Sequence, residues 1–565
     1  MKNKEIARIL DEIADLYEMR EVEFKPRAYR NAAQSIRALG EDIEDVKERG
    51  NLEDIPGVGS SIADKIREYI DTGTIKKWED LKEDFPMDLE ELTSVESLGP
   101  KKAKVLFEEL DIKSLEDLKE AARKGKIKDI EGFGKKTQEK LLENIAFAEQ
   151  KKGRFLLGYV IQEAEDIVDS LKDQCKKIEI AGSYRRKRET VGDIDILAVS
   201  AEKGNVVETF SRLDQVSRVV LKGEKKSTVK LNSGINVDLR MIEEESYGSA
   251  LQYFTGSKQH NISLRKIAQK RGLKLNEYGL FEDDKRLAGR TEEEVYDELG
   301  MEWIPPEMRE NNGEVEAAQN GDLPELVKVQ DLRCDLQMHS DWSDGKASLK
   351  EMAEACMERG YEFFVITDHA GELTVANSLD LKRFREQRKE IDKLKEEMDM
   401  EIVHGVEANI KKSGRLDVPK EIIEEADLVL GSVHSSFRME RKKMTDRMVT
   451  AVKSGQFHIL AHPTGRKIME REQIDVDMDK LFEAASEAGT VLEVNAYPER
   501  LDLGGHYVKR AIDAGVDLSI GTDAHRKDHL RFIDLGVYTA RRGWAEKKNI
   551  INTMTLKELK SRLLS

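Results

Sequence analysis

Long apolar runs are missing from this 565-residue chain, and none approaches the ~20 residues that would span a bilayer. Residues 1–20 are amphipathic and carry acidic side chains, unlike a secretory leader or an acid-poor transit peptide. The expectation is a cytoplasmic protein with no membrane partner. Cysteine is scarce. Cys175, Cys334 and Cys356 show no CxxC spacing, which speaks against a disulfide framework and a zinc knuckle. A positive charge excess is also missing, since the formal net charge is −18. Whole-chain charge is a poor guide when domains differ. Acidic residues crowd 41–54 and 292–316, and basic ones crowd 101–104, 123–128, 185–188 and 222–230. Local basic stripes hold phosphates even when the total is negative.

What the chain has is length and charge. With 39% hydrophobic and 36% charged residues it reads as a soluble protein, too long for one core and suited to roughly three to four domains. Residues 1–150 carry helical periodicity. Three segments there resemble one another: Ile55-Pro56-Gly57-Val58-Gly59, Val95-Glu96-Ser97-Leu98-Gly99 and Ile130-Glu131-Gly132-Phe133-Gly134. Each precedes a helical pattern. A Gly-x-Gly turn opening a helix exposes backbone N–H groups beside a positive helix end. Gly57, Gly59, Gly99, Gly132 and Gly134 are therefore candidates for gripping a phosphate backbone without reading bases. In the middle copy Ser97 stands where the first glycine belongs.

β-rich runs follow between 175 and 242. Along a strand, residues two apart face the same side, so Asp193 and Asp195 present two carboxylates together. Asp238 lies on another apolar strand, with Arg240 on its face. Three converging carboxylates repel one another unless cations join them, and Mg²⁺ or Mn²⁺ suits such oxygen ligands. Two ions there form a clamp for in-line phosphoryl displacement. Gly182 and Ser183, with Arg186, are placed to hold a triphosphate, and Gly192 precedes the first aspartate.

Pro305-Pro306 and the acidic, Asn/Gly-containing run to Pro324 read as a linker. From Asp335 onward apolar runs alternate with helical patterns, as in repeated βα units. Their ends offer His339 and Asp344, His369, Glu407, His434, His462, then Asp523 and His525. Residues at strand C-terminal ends of a (βα) barrel converge on one face. Imidazoles and carboxylates gathered there bind Zn²⁺, Mn²⁺ or Fe²⁺, ions that activate water for phosphoester hydrolysis.

The Gly-Ser-x9-Asp-x-Asp pattern of Gly182 to Asp195 resembles the nucleotidyltransferase superfamily. Tyr253-Phe254-Thr255-Gly256-Ser257 with Asn261 and Arg265 resembles the nucleotide-binding segment of family X DNA polymerases. That resemblance implies that Tyr253, Phe254 and Gly256 line the sugar pocket, Asn261 meets the base edge and Arg265 meets the template strand. It extends to the N-terminal region, where Lys25, Tyr29 and Lys65 match the family's lyase domain, with Lys65 as a Schiff-base amine. Ser61 and Phe24 depart from the family's basic residue and histidine there, and Lys258 departs from an aspartate. Residues 333–565 resemble the PHP phosphoesterase superfamily, with Gln337 in place of the first histidine of its His-x-His motif.

The expected architecture is multidomain α+β and α/β. It comprises a helical lyase-like domain with a helix–hairpin–helix (1–87), helix–hairpin–helix fingers (88–150), a mixed-sheet nucleotidyltransferase palm (151–242), a nucleotide-binding thumb (243–308), a linker (309–332) and a distorted TIM-like (βα)7 PHP barrel (333–565). The resemblance implies a monomeric DNA polymerase that fills short gaps in base-excision repair. It would act on gapped or damaged double-stranded DNA with dNTPs. Its PHP site, holding two or three ions, would supply 3′–5′ exonuclease, 3′-end-processing or abasic endonuclease chemistry. Two alternatives stand beside it: a template-independent nucleotidyltransferase, and a DNA-end-binding protein with a vestigial PHP site.

Overall fold

The computed structural model describes all residues except Met1, 38–42, Asn51, Glu96, Lys152, 374–375 and 564–565, and excludes the side chains of Lys4, Glu143 and 146–151. Glu96 of the middle Gly-x-Gly-like segment, and 41–42 and 51 of the first acidic run, thus lie outside the described residues. The chain forms two compact units, Met1–Lys152 and Gly153–Ser565. No helix of the described residues is long and apolar enough to cross a membrane.

The described elements of the first unit are helical. In the helix Lys2–Met19, Ile6, Ile9, Leu10, Ile13 and Tyr17 recur at three- and four-residue spacing and are buried. They meet Tyr29 and Ile36 of Lys25–Arg37, Ile62 and Ile66 of Ser60–Thr72, and Leu106 of Pro100–Leu110 in one core. Burial of each such side chain contributes roughly 1.5–3 kcal/mol, so packing rather than helix propensity holds these short helices.

The second unit begins with a five-stranded mixed sheet. Its spatial order is Lys177–Ile180, Asp193–Val199, Asn236–Met241, Lys226–Leu231 and Val216–Leu221. Ile194, Ile196 and Ala198 face the helices Leu157–Leu171 and Lys203–Ser211. Leu197 and Val199 face the helix Tyr247–Thr255. By the two-residue period, Asp193 and Asp195 belong to this second face. A three-stranded antiparallel sheet follows, Lys274–Asn276, Gly279–Glu282 and Lys285–Ala288, flanked by the helices Lys258–Lys270 and Glu292–Glu298.

Residues 309–332, expected as a linker, are instead built into the fold. They hold the helix Glu314–Asn320, and Arg309, Glu314 and Val327 are fully buried. Glu314 accepts from the backbone N–H groups of Asn311 and Asn312 at 2.9 and 2.7 Å, and meets His260 Nδ1 at 2.7 Å. Of the acidic residues that suggested a solvated tether, Glu314 is thus satisfied inside the protein, while Glu316, Asp322 and Glu325 remain exposed.

The C-terminal sheet is parallel, in the order Phe363–Ile366, Glu401–Asn409, Leu428–Ser432, Ile459–Leu460, Val491–Asn495 and Leu518–Gly521. The segment 335–339 joins both of its edges. Thr367 N donates to Met338 O at 2.9 Å, while His339 N donates to Ala524 O at 2.8 Å and Asp523 N to Gln337 O at 3.0 Å. The sheet therefore curls, and the C-terminal ends of its strands gather at one mouth.

Candidate active sites

The three Gly-x-Gly-like turns of the first unit share one geometry. Val58 N donates to Ile55 O, Leu98 N to Val95 O and Phe133 N to Ile130 O, at 2.9–3.0 Å. Gly57 and Gly132 adopt φ of +81° and +86°, and Ser97 adopts +75° in the same place. The degraded copy thus keeps the backbone shape despite its Cβ. Gly59 and Gly99 are the N-caps of Ser60–Thr72 and Pro100–Leu110 without side-chain caps, and Gly134 precedes Lys135–Lys151. Lys25 lies over the Tyr17 ring at 4.7 Å, and Tyr17 lies 5.6 Å from Tyr29. Lys65 turns back on its own helix, with Nζ 2.9 Å from Ser61 O.

In the mixed sheet, Asp193–Val199 runs parallel to Asn236–Met241 with Asp195 opposite Asp238. Asp193 is exposed, and the other two are half-buried. Lys226 Nζ is 2.7 Å from Asp238, and Arg240 is 3.2 Å from Asp238 and 3.5 Å from Asp195. Burial, then the charge of Asp193, push Asp195 up to about 6 against the pull of Arg240. Added positive charge relieves that penalty, which is what divalent ions supply. Gly182, at φ +65°, would carry its Cβ 3.0 Å from an Asp195 oxygen, so only glycine brings this backbone so near the carboxylate.

The nucleotide segment borders the same face. The Arg240 guanidinium lies 4.4 Å over the Phe254 ring, and Tyr253 meets Phe254 edge-on at 5.2 Å. Gly256 has φ +68°, and a Cβ there would approach Arg186 to 3.3 Å. Arg186 is already engaged, by Glu310 at 3.2 Å and by Thr255 O. Asn261 faces inward, donating to Tyr253 O and accepting from Gln252, both at 2.7 Å. Arg265 Nε donates to Asn261 O at 3.3 Å. The structure brings Gly182, Arg186, Asp195, Asp238, Arg240, Phe254 and Gly256 together. Asn261 and Arg265 brace the segment from behind, while Ser183 and Gly192 are half-buried beside Gly182 and Asp193.

Among the described residues, the groups of three or more donors lying within 4.8 Å of one another are all in the C-terminal centre. They are His339, Asp344, His369 and His525; His369, Glu407 and His434; and His339, Glu407 and Asp523. His462 meets Glu407 at 3.1 Å. Burial raises the Glu407 carboxyl, but His369 and His434 outweigh it and hold the group well below the usual range. Gln337 Nε2 donates to Glu407 at 3.1 Å, so the residue replacing a histidine orients the shared carboxylate. Its Oε1, with His339 Nδ1, His462 Nδ1 and Glu493 Oε1, is buried without a hydrogen bond. Each such orphan costs roughly 1–3 kcal/mol. His462 and Asp523 also sit at φ +31° and +53°, strain typical of functional positions. A donor-rich, orphan-rich and strained site of this kind fits bound metal ions.

Two residues here escaped the sequence reading. Glu493, on Val491–Asn495, accepts from His462 N at 2.7 Å, and burial lifts its carboxyl well above the usual range. A charge inside an apolar strand run was the available signal. Arg500 Nε lies 3.3 Å from Asp523. It sits in a turn beyond the strand end, where no periodicity pointed to it.

Family models match along the chain: Helix-hairpin-helix domain over 1–75, SAM-like Helix-hairpin-helix tandem over 89–146, DNA polymerase beta palm over 158–247, DNA polymerase beta thumb over 250–310 and PHP domain over 335–497. The chain is 38% identical over 569 residues to the DNA polymerase/3′-5′ exonuclease PolX of Bacillus subtilis, covering 99% of each. DNA polymerase lambda of Arabidopsis thaliana is 25% identical over 54% of this chain and 62% of its own length. A probable phosphatase of Caldanaerobacter subterraneus subsp. tengcongensis is 28% identical over 32% of this chain and 70% of its own. With the carboxylate face and the histidine centre both in place, this end-to-end likeness shows that the chain belongs to the PolX family, the DNA polymerase/3′–5′ exonucleases that join a polymerase-beta-like core to a PHP domain.

Proposed function

We propose that this enzyme fills short gaps in damaged DNA at the Asp193–Asp195–Asp238 face and processes 3′ ends at the histidine centre. The reading is carried by one observation: Asp195 and Asp238 are register partners on adjacent strands, beside Gly182 and the Tyr253–Gly256 segment. Mg²⁺ or Mn²⁺ held there supplies Lewis acidity toward the attacking 3′ oxygen and the departing pyrophosphate. Gly182 and Ser183 present backbone to the triphosphate. Arg186 meets it by exchanging Glu310 for phosphate oxygens, and Arg240 steadies Asp195, Asp238 and Phe254. Tyr253, Phe254 and Gly256 border the sugar, Asn261 meets the base edge, and Arg265 meets the template strand. The turns at Gly57 and Gly59, Gly99, and Gly132 and Gly134 grip the DNA backbone.

The domain limits proposed are those of the sequence, 1–87, 88–150, 151–242, 243–308 and 333–565, with 309–332 as a packed connection. In the barrel, His339, Asp344, His369, Glu407, His434, His462, Asp523 and His525 hold two or three Zn²⁺, Mn²⁺ or Fe²⁺ ions, whose chemistry is Lewis acidity toward a phosphodiester. Glu407 is the carboxylate common to two of the ligand groups, as His339 and His369 are the imidazoles common to two, and Gln337 and Glu493 orient ligands from behind. The protein acts in the cytoplasm as a monomer. Lyase chemistry at Lys65 requires it to leave Ser61, with Lys25 and Tyr29 alongside.

Extension of gapped DNA and of single-stranded DNA with one dNTP tests the polymerase reading. Templated filling of the gap is expected. Equal, untemplated extension of both would favour the rival nucleotidyltransferase.

A further inference from the structure

The turn 497–501 stands at the mouth of the histidine centre. Tyr497, Glu499 and Arg500 from this turn, with Lys467, Asp523 and His525, line a cavity of about 220 Å³. Two cations border it. Arg500 Nε lies 3.3 Å from Asp523 and its side chain is 18% exposed. Lys467 Nζ lies 3.6 Å from Glu470 and 3.9 Å from Glu499. Of the two acids in the wall, Asp523 belongs to the metal-ligand groups. Glu499 Oε1 accepts from Tyr159 Oη at 3.0 Å. Arg500 and Lys467 are each paired with an acid of the wall, and both border a space beside the ligands.

Tyr159 does not belong to the barrel. It lies on Leu157–Leu171, the helix that covers the palm sheet. The palm braces the turn at further points. Arg466 Nε donates to Arg500 O at 2.8 Å and its NH2 to Leu501 O, while its guanidinium pairs with Glu189 at 2.8 Å. A Cβ on Gly158 would lie 2.8 Å from Pro498 and 2.7 Å from Leu535, so the helix seats directly on the turn. Leu501 is buried within the palm's own core.

We propose that this cavity receives a phosphate of the DNA 3′ end under hydrolysis, with Arg500 and Lys467 as its cationic ligands and the palm's Tyr159 and Glu189 positioning the turn that carries Arg500. The proposal rests on the hydrolytic reading of the metal centre. In the step it serves, a water oxygen bonds to phosphorus and the bond from phosphorus to the preceding 3′ oxygen breaks. That oxygen takes up a proton, and a nucleoside 5′-monophosphate departs. A guanidinium presents paired donors that match phosphate oxygens, which an ammonium does not. Hydrolysis is on this view a property of palm and barrel together.

The test uses the full-length protein, a 5′-labelled primer and Mn²⁺. Arg500→Ala is expected to lower kcat/KM for 3′ hydrolysis about 100-fold, with Arg500→Lys recovering only part. Tyr159→Phe and Glu189→Gln are expected to raise KM several-fold with kcat little changed, and Tyr159→Phe to extend primers at the wild-type rate. Calorimetric titration with deoxyadenosine 5′-monophosphate in Mn²⁺ should show binding in the wild type that Arg500→Ala has lost. Wild-type kcat/KM and monophosphate affinity in Arg500→Ala would overturn the subsite. An impaired Arg500→Ala alongside unaltered Tyr159→Phe and Glu189→Gln would overturn the palm's positioning role. A wild-type protein with no Mn²⁺-dependent hydrolysis at all would instead remove the hydrolytic reading, and the proposal with it.

Discussion

Ser97 shows how much a single residue carries. It holds φ +75° where the equivalent turns use Gly57 and Gly132. A side chain in that region costs roughly 1–3 kcal/mol. Ser97→Gly should stabilise the N-terminal unit by about 1 kcal/mol, offset in part by unfolded-state entropy, as read from the midpoint of urea denaturation. An unchanged or lower midpoint would contradict the strain. The substitution was visible in the sequence, yet its effect was not. Only the dihedral shows that the turn keeps the backbone shape of its two glycine counterparts. Gln337 is the converse case. The sequence reported a missing histidine, and the structure adds that the amide holds Glu407 at 3.1 Å.

At the scale of elements, alternation and strand-end placement were legible. The two-residue period put Asp193 and Asp195 on one face, and the βα rhythm put the ligand set at one mouth. Pairing across long sequence distance was not legible. Glu292, at the start of Glu292–Glu298, is met by Arg309 at 2.6 Å and by Arg185 at 2.9 Å. Burial raises its carboxyl, but Arg309 and Arg185 bring it down to about 2, below its ordinary 4.5. A depressed carboxylate stabilises fully above its unfolded pKa and loses that contribution as pH falls through the folded value. Glu292→Gln should therefore destabilise by about 3 kcal/mol at neutral pH, since it strands the buried Arg309 charge. The gap between variant and wild type should narrow as pH drops from 4.5 toward 2 in denaturation measured by circular dichroism. A gap constant across that window would contradict the pairing. The same charge pairing explains why 309–332 looked like a tether. Glu314 is buried against His260, and Glu310 meets Arg186 and Arg542, partners distant in sequence that composition does not record, while Glu316, Asp322 and Glu325 stay exposed.

Across the whole molecule, palm and barrel lie within one compact unit, Gly153–Ser565, joined by Glu310 with Arg186, Arg188 and Arg542 and by Glu189 with Arg466. Two chemistries are nonetheless assigned to separate ligand sets, one of carboxylates on a mixed sheet and one built largely of histidines at a barrel mouth. That each chemistry uses its own ligand set is the central claim. It is tested most directly by following extension and 3′ degradation of one gapped DNA substrate, with Mg²⁺ and Mn²⁺ in turn, by wild type, Asp193→Ala and His434→Ala. Asp193→Ala is expected to stop extending while still degrading, and His434→Ala to do the reverse. Normal extension by Asp193→Ala, or loss of both activities in either variant with the fold intact, would contradict it.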